Sequence, residues 1–176
     1  EREEPGRLQE LRRQAAAICA RRGLLATAMD LSIAAGDWGE VVRELYDSRE
    51  HLNQRGEWQT LAGWIDRLPE EVLLQEAGLA LARARLAAKF GQRQDSLARL
   101  DRVEEQPLAA EERVRVALFR GVAYRDLGRI GDAIAAYRRA RQAALEALPD
   151  DHPVLAEIDL EEGVTIARAG QFEAAQ

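Results

Sequence analysis

Along one stretch of this chain, small and aromatic residues recur at spacings that leave few folds open: Gly121, Tyr124, Gly128, Ala133, Tyr137 and Ala140. Gly121 and Ala133 lack bulky side chains, which lets two helix axes approach closely, and Tyr124 and Tyr137 fill the wider gaps around them. Gly128 ends the first helix, where a left-handed residue costs least if it has no Cβ. Such a hairpin cannot bury its apolar faces alone, so it requires stacked copies. A shift of 42 residues brings Gly163, Gly170 and Ala175 onto the places of Gly121, Gly128 and Ala133. The pattern predicts that the chain breaks off inside another copy and belongs to a longer protein, as does its start at Glu1 without methionine.

The spacing resembles the tetratricopeptide (TPR) hairpin, which implies antiparallel helical hairpins stacked into a right-handed superhelix. Ala117 and Arg120 depart from it, standing where that pattern has Trp and Leu. Composition agrees with an all-α class: alanine, leucine, glutamate and arginine dominate, and no alternating Val/Ile/Thr segment bounded by turn residues occurs. The net charge of -6 argues against nucleic-acid contact by this segment, because phosphate neutralisation needs a basic surface. With Cys19 the single cysteine, an intrachain disulfide or cysteine zinc cluster is ruled out, and a reducing cytoplasm is the natural location. Its alanine-rich surroundings predict a buried helix position for Cys19. No apolar run approaches bilayer-spanning length, so no membrane role is expected.

Glycines at 23, 36, 56, 91, 128 and 170 punctuate the chain, and between them apolar residues recur at three- and four-residue steps. The pattern predicts helices at about 7–22, 24–35, 38–54, 57–67, 77–90, 93–105, 110–127, 130–147, 152–169 and from 172 onward, with a short turn after Leu68-Pro69. Asp37, Glu70-Glu71 and Asp150-Asp151 stand at helix starts, where acidic groups offset unpaired N–H groups and the helix dipole. Aligning Gly91 with Gly128 gives an earlier hairpin over 77–105, with Ala84 at the close-contact position and Ser96 where alanine is usual. All three tryptophans, Trp38, Trp58 and Trp64, fall upstream. The expected division is a helical arm at 1–75 followed by TPR-like repeats at 76–176, the last one truncated.

Leu11-Arg12-Arg13-Gln14-Ala15-Ala16, the Ala34-Ala35-Gly36-Asp37-Trp38 turn, and Gly56-Glu57-Trp58 through Leu61 and Trp64 to Leu68-Pro69-Glu70-Glu71 carry a second likeness. Together they resemble the MalT-like region of large ATP-dependent LuxR-family transcriptional regulators. In that family a signal-transduction NTPase domain and a winged-helix domain precede a helical arm and a TPR-like superhelix, usually with a DNA-binding helix-turn-helix at the far end. Arg12 departs from the family, which often has histidine there. The chain contains no Gly-x-x-x-x-Gly-Lys-Ser/Thr loop and no helix-turn-helix with a basic recognition helix. The resemblance therefore implies the regulatory superhelix alone: a non-enzymatic region sensing an inducer or partner, possible self-association included, with no cofactor of its own.

Candidate chemistry is sparse. His51 and His152 have no second ligand at metal spacing, and pairs such as Glu70-Glu71, Glu111-Glu112 and Glu161-Glu162 project about 100° apart on a helix and suit solvated faces. Ser32, Ser48 and Ser96 have no histidine in a recognisable motif. Trp58 and Trp64 lie about 120° apart around one helix, so one is expected in the core and the other partly exposed. Trp58 is the candidate for aromatic contact, against the alternative of filling a helix junction. In a TPR superhelix the first helix of each hairpin lines a concave wall, and in this register the wall includes Arg85, Lys89, Arg115, Arg125, Asp126, Glu157 and Arg168. Such a basic wall favours an anionic ligand, whether an acidic protein segment or a small inducer. The alternative is that these arginines pair with glutamates on adjacent helices. Two functions remain open: a sensor coupled to an NTPase and DNA-binding domain, or a free-standing TPR adaptor binding a peptide or acidic partner.

Overall fold

The computed structural model of the chain describes the backbone of residues 4–174 and the side chains of residues 6–170. Among the described residues there is no strand, and the helices run in the order α1 (Glu4–Arg21), α2 (Leu25–Ala35), α3 (Trp38–Gln54), α4 (Trp58–Ile65), α5 (Glu70–Leu73), α6 (Ala77–Lys89), α7 (Arg93–Glu104), α8 (Ala110–Asp126), α9 (Ile130–Ala147) and α10 (Pro153–Ala174). The all-α class is thus observed. The chain divides into two compact units, Glu1–Leu73 and Leu74–Gln176.

Five helix ends share one turn. Gly23, Gly36, Gly56, Gly91 and Gly128 all have φ between 66° and 79°, a region that side chains with a Cβ rarely enter. At Gly128 the glycine N–H donates to the Arg125 carbonyl and the next N–H, of Arg129, donates to the Tyr124 carbonyl, both at 2.9 Å. This doubly bonded closure satisfies carbonyls that the last helical turn leaves without partners. After Gly36, Asp37 opens α3 by accepting a hydrogen bond from the Glu40 N–H at 3.4 Å, the role expected for an acidic residue there.

In the first unit α1 packs on α2, α2 on α3 and α3 on α4. Met29, Val41, Leu45, Leu61 and Ile65 form its core, and Trp64 is buried beside them while Trp58 is half-buried. Cys19 is half-buried rather than buried, because α1 leaves the neighbouring Ala17 and Ile18 exposed.

In the second unit α6 packs on α7 and α8 on α9, while α7 meets α8 and α9 meets α10. In addition α6 touches α8, and α8 touches α10, so alternate helices line up with α8 in the middle. Gly121 on α8 faces Tyr137 on α9 at van der Waals contact: a Cβ at 121 would lie 2.6 Å from the ring's Cδ1 and 2.9 Å from Cζ. The ring has no exposed surface, and its hydroxyl hydrogen-bonds with that of Thr165 on α10 at 3.4 Å. One glycine and one tyrosine thereby tie three helices together. Tyr124 departs from its expected gap-filling place; it is half-buried, with the Arg129 guanidinium 4.4 Å from its ring centroid. Arg120, the departure from the TPR pattern, reaches back to α7, its Nη1 2.7 Å from Asp101 Oδ1 and its Nη2 2.6 Å from Glu104 Oε2.

The far end differs from expectation. Gly170 lies inside α10, which continues to Ala174 where a break and a new helix from 172 were expected. Glycine permits a left-handed residue without imposing one, and here the backbone stays helical. Gly163 also differs from Gly121, since a Cβ there would meet nothing within 4 Å. Ala175, the expected counterpart of Ala133, lies outside the described residues.

Candidate functional site

The alternate helices of the second unit enclose a cleft of about 250 Å³. Its lining brings together five of the expected wall residues: Arg85 and Lys89 from α6, Arg125 and Asp126 from α8, and Glu157 from α10. Periodicity explains the grouping. Positions 85 and 89, and 157 and 161, are four residues apart and share a helix face, while 125 and 126 close the last turn of α8. Sequence reasoning missed the remaining lining residues, Ala88, Phe119, Val122 and Glu161. For Glu161 a signal existed in its four-residue spacing from Glu157.

Charge in the cleft is balanced, not basic. Arg125 is the most enclosed cation, with 11% of its side chain exposed. Its Nε donates to Asp126 Oδ1 at 2.9 Å, and its Nη1 pairs with Glu161 on α10. Burial works against the guanidinium charge, but the Asp126 and Glu161 carboxylates outweigh it and hold the pKa above the ordinary arginine value. Arg115 and Arg168 do not line the cleft. Arg115 bonds Glu111 at 2.8 Å and lies 3.5 Å from Glu157 Oε2, while the exposed Arg168 is 4.0 Å from Asp126. Arg115 and Arg125 are therefore engaged with glutamates of their own and neighbouring helices.

On α6, Arg85 is exposed, and its guanidinium lies 5.5 Å from the centroid of the Phe119 ring, a cation–π arrangement. Among the described residues it has no carboxylate partner. Lys89 is exposed at the end of the same helix. Phe119 is 7% exposed and lines the cleft together with Val122 of α8.

Trp58 belongs to the first unit and lies at the start of α4, where its Nε1 would be 3.6 Å from a Cβ on Gly56. That places the indole against its own turn. His152 helps begin α10, its Nδ1 accepting from the Val154 N–H at 3.3 Å. No group of three His, Cys, Asp or Glu side chains suited to a metal exists among the described residues, and none of their helices is long and apolar enough to cross a membrane. In comparisons with known proteins, no family model matches the chain, and neither a curated protein nor a solved structure does.

Proposed function

We propose that this chain is the non-catalytic sensing region of a cytoplasmic bacterial transcription regulator of the MalT-like class, built as a TPR-like right-handed superhelix. Ligand or partner binding would be linked to an NTPase and a DNA-binding domain outside these residues. The observation that carries the reading is the cleft shared by α6, α8 and α10. Side chains from three successive repeat-like helices converge on it, so an occupant that prefers one arrangement of those helices shifts that arrangement by its differential affinity. The alternation of packed hairpins, with first helices touching first helices, supports the superhelix. The arm-like sequence from Ala34 to Trp38 and from Gly56 to Glu71 supports the family.

A thermal-shift screen of small polar metabolites and short peptides tests the reading, run in parallel on the native protein and on Ala88→Leu, which narrows the cleft. A ligand at a hundred times its dissociation constant stabilises by about 2.7 kcal/mol. Compounds that raise the melting temperature of the native protein and not of the variant support it. A screen in which every hit acts equally on both proteins, or in which there is no hit, overturns it.

A further inference from the structure

Resting on the assignment of the cleft as a ligand site, we infer that its ligand is bipolar: a small molecule carrying a carboxylate at one end, a cationic amine or guanidinium at the other, and an apolar body between. The lining is segregated by helix. Arg85 and Lys89 on α6 contribute two positive charges. Glu157 and Glu161 on α10 contribute two negative ones. The intervening α8 supplies Arg125 and Asp126, which bond each other at 2.9 Å and whose formal charges sum to zero although Arg125 also pairs with Glu161, together with the apolar Phe119 and Val122. Across α8, then, the cleft runs from a cationic wall over a neutral, partly apolar floor to an anionic wall.

A purely anionic ligand gains from α6 and is repelled by the two glutamates of α10; a purely cationic ligand meets the reverse. A molecule with both charges gains at both ends. The two glutamates retain accepting capacity despite their arginine partners, since a carboxylate offers about four lone-pair sites. Size restricts the class further. At about 250 Å³ the cleft falls below the roughly 300–1,000 Å³ of pockets that hold drug-sized ligands. An amino acid, an ω-amino acid or a very short peptide is of the right order. The charge separation favours ends several ångströms apart, because helices α6 and α10 flank α8 at packing distances of about 8–10 Å each.

Three probes of one chain length decide the matter: 6-aminohexanoate, hexanoate and hexylamine, titrated into the native protein and followed by backbone amide shifts of Ala88, Phe119 and Val122. Exposed charge contacts are each worth about 1.5- to 5-fold in affinity, so 6-aminohexanoate should bind about 1.5- to 5-fold more tightly than either singly charged probe. The preference should shrink at 1 M salt. Arg85→Gln should reduce the advantage over hexylamine, and Glu157→Gln should reduce the advantage over hexanoate. If hexanoate or hexylamine shifts the same amides as strongly as 6-aminohexanoate, the cleft is a ligand site and the bipolar assignment is wrong. If no probe moves these amides, the bipolar assignment also falls, and the metabolite screen decides separately whether the cleft binds anything.

Discussion

Replacing Gly121 by alanine, and separately Gly163 by alanine, should change stability in opposite directions, although the two positions are equivalent in the 42-residue register. Alanine in place of glycine inside a helix is favoured by about 1 kcal/mol from backbone entropy alone. At Gly163 nothing lies within 4 Å of the added Cβ, so most of that gain should appear, about 0.5–1 kcal/mol. At Gly121 the new methyl meets Tyr137 Cδ1 at 2.6 Å and Cζ at 2.9 Å, well inside carbon–carbon contact distance. The ring cannot swing clear, being fully buried with its hydroxyl bonded to Thr165. Overpacking a tight core costs about 1–3 kcal/mol, which at these sub-contact distances outweighs the helix gain and leaves a net loss of up to about 2 kcal/mol. Urea unfolding followed by circular dichroism measures both variants, and hydrogen exchange of α8 and α9 amides locates the loss. A Gly121→Ala protein as stable as Gly163→Ala would show that the helices do not meet through this glycine, and the register built on it would fall.

Three further perturbations follow from the geometry. Ser96 is fully buried on α7 with its hydroxyl unpartnered among the described residues, so Ser96→Ala should raise stability by about 1 kcal/mol, read from the urea midpoint. Arg120→Ala removes the fork from α8 to Asp101 and Glu104 and should cost about 1–2 kcal/mol by the same measurement, while Arg120→Lys, which keeps the charge without the planar fork, should recover only part of it. Burial raises the pKa of Tyr137 above the ordinary tyrosine value, so the unfolded chain loses its phenolic proton first as pH rises. That contribution is intact below about pH 10 and is lost as pH climbs through the folded pKa; Tyr137→Phe, compared by alkaline unfolding, should remove it.

Residues whose effect is local were readable from the chain. Gly36 and Gly128 need only their own left-handed backbone to end a helix, and the bounds expected for 38–54 and 130–147 coincide with α3 and α9. Gly121, Ala133 and Tyr137 were readable because a close helix approach demands small against large at fixed spacing; all three are buried. Gly170 does not interrupt α10, because glycine permits a left-handed turn without compelling one. Of the seven residues that the repeat register put on one wall, Arg85, Lys89, Arg125, Asp126 and Glu157 line a common cleft, while Arg115 and Arg168 lie outside it. The electrostatics of the cleft were not legible, since the pairing of Arg125 with Glu161 depends on how α8 and α10 approach, and spacing within either helix does not record that. Arg120 was legible only as an anomaly for the same reason: its carboxylate partners lie on α7.

The order in which helices pack has a kinetic meaning. In the second unit each helix meets the next one along the chain or the one after it, so the packing can be built by closing loops between near neighbours in sequence. Short loops cost little entropy to close, and proteins dominated by such contacts fold within about microseconds to milliseconds. The α8–α9 hairpin completes its glycine–tyrosine contact between adjacent helices, so the helices on either side can add to it one at a time without closing a long loop.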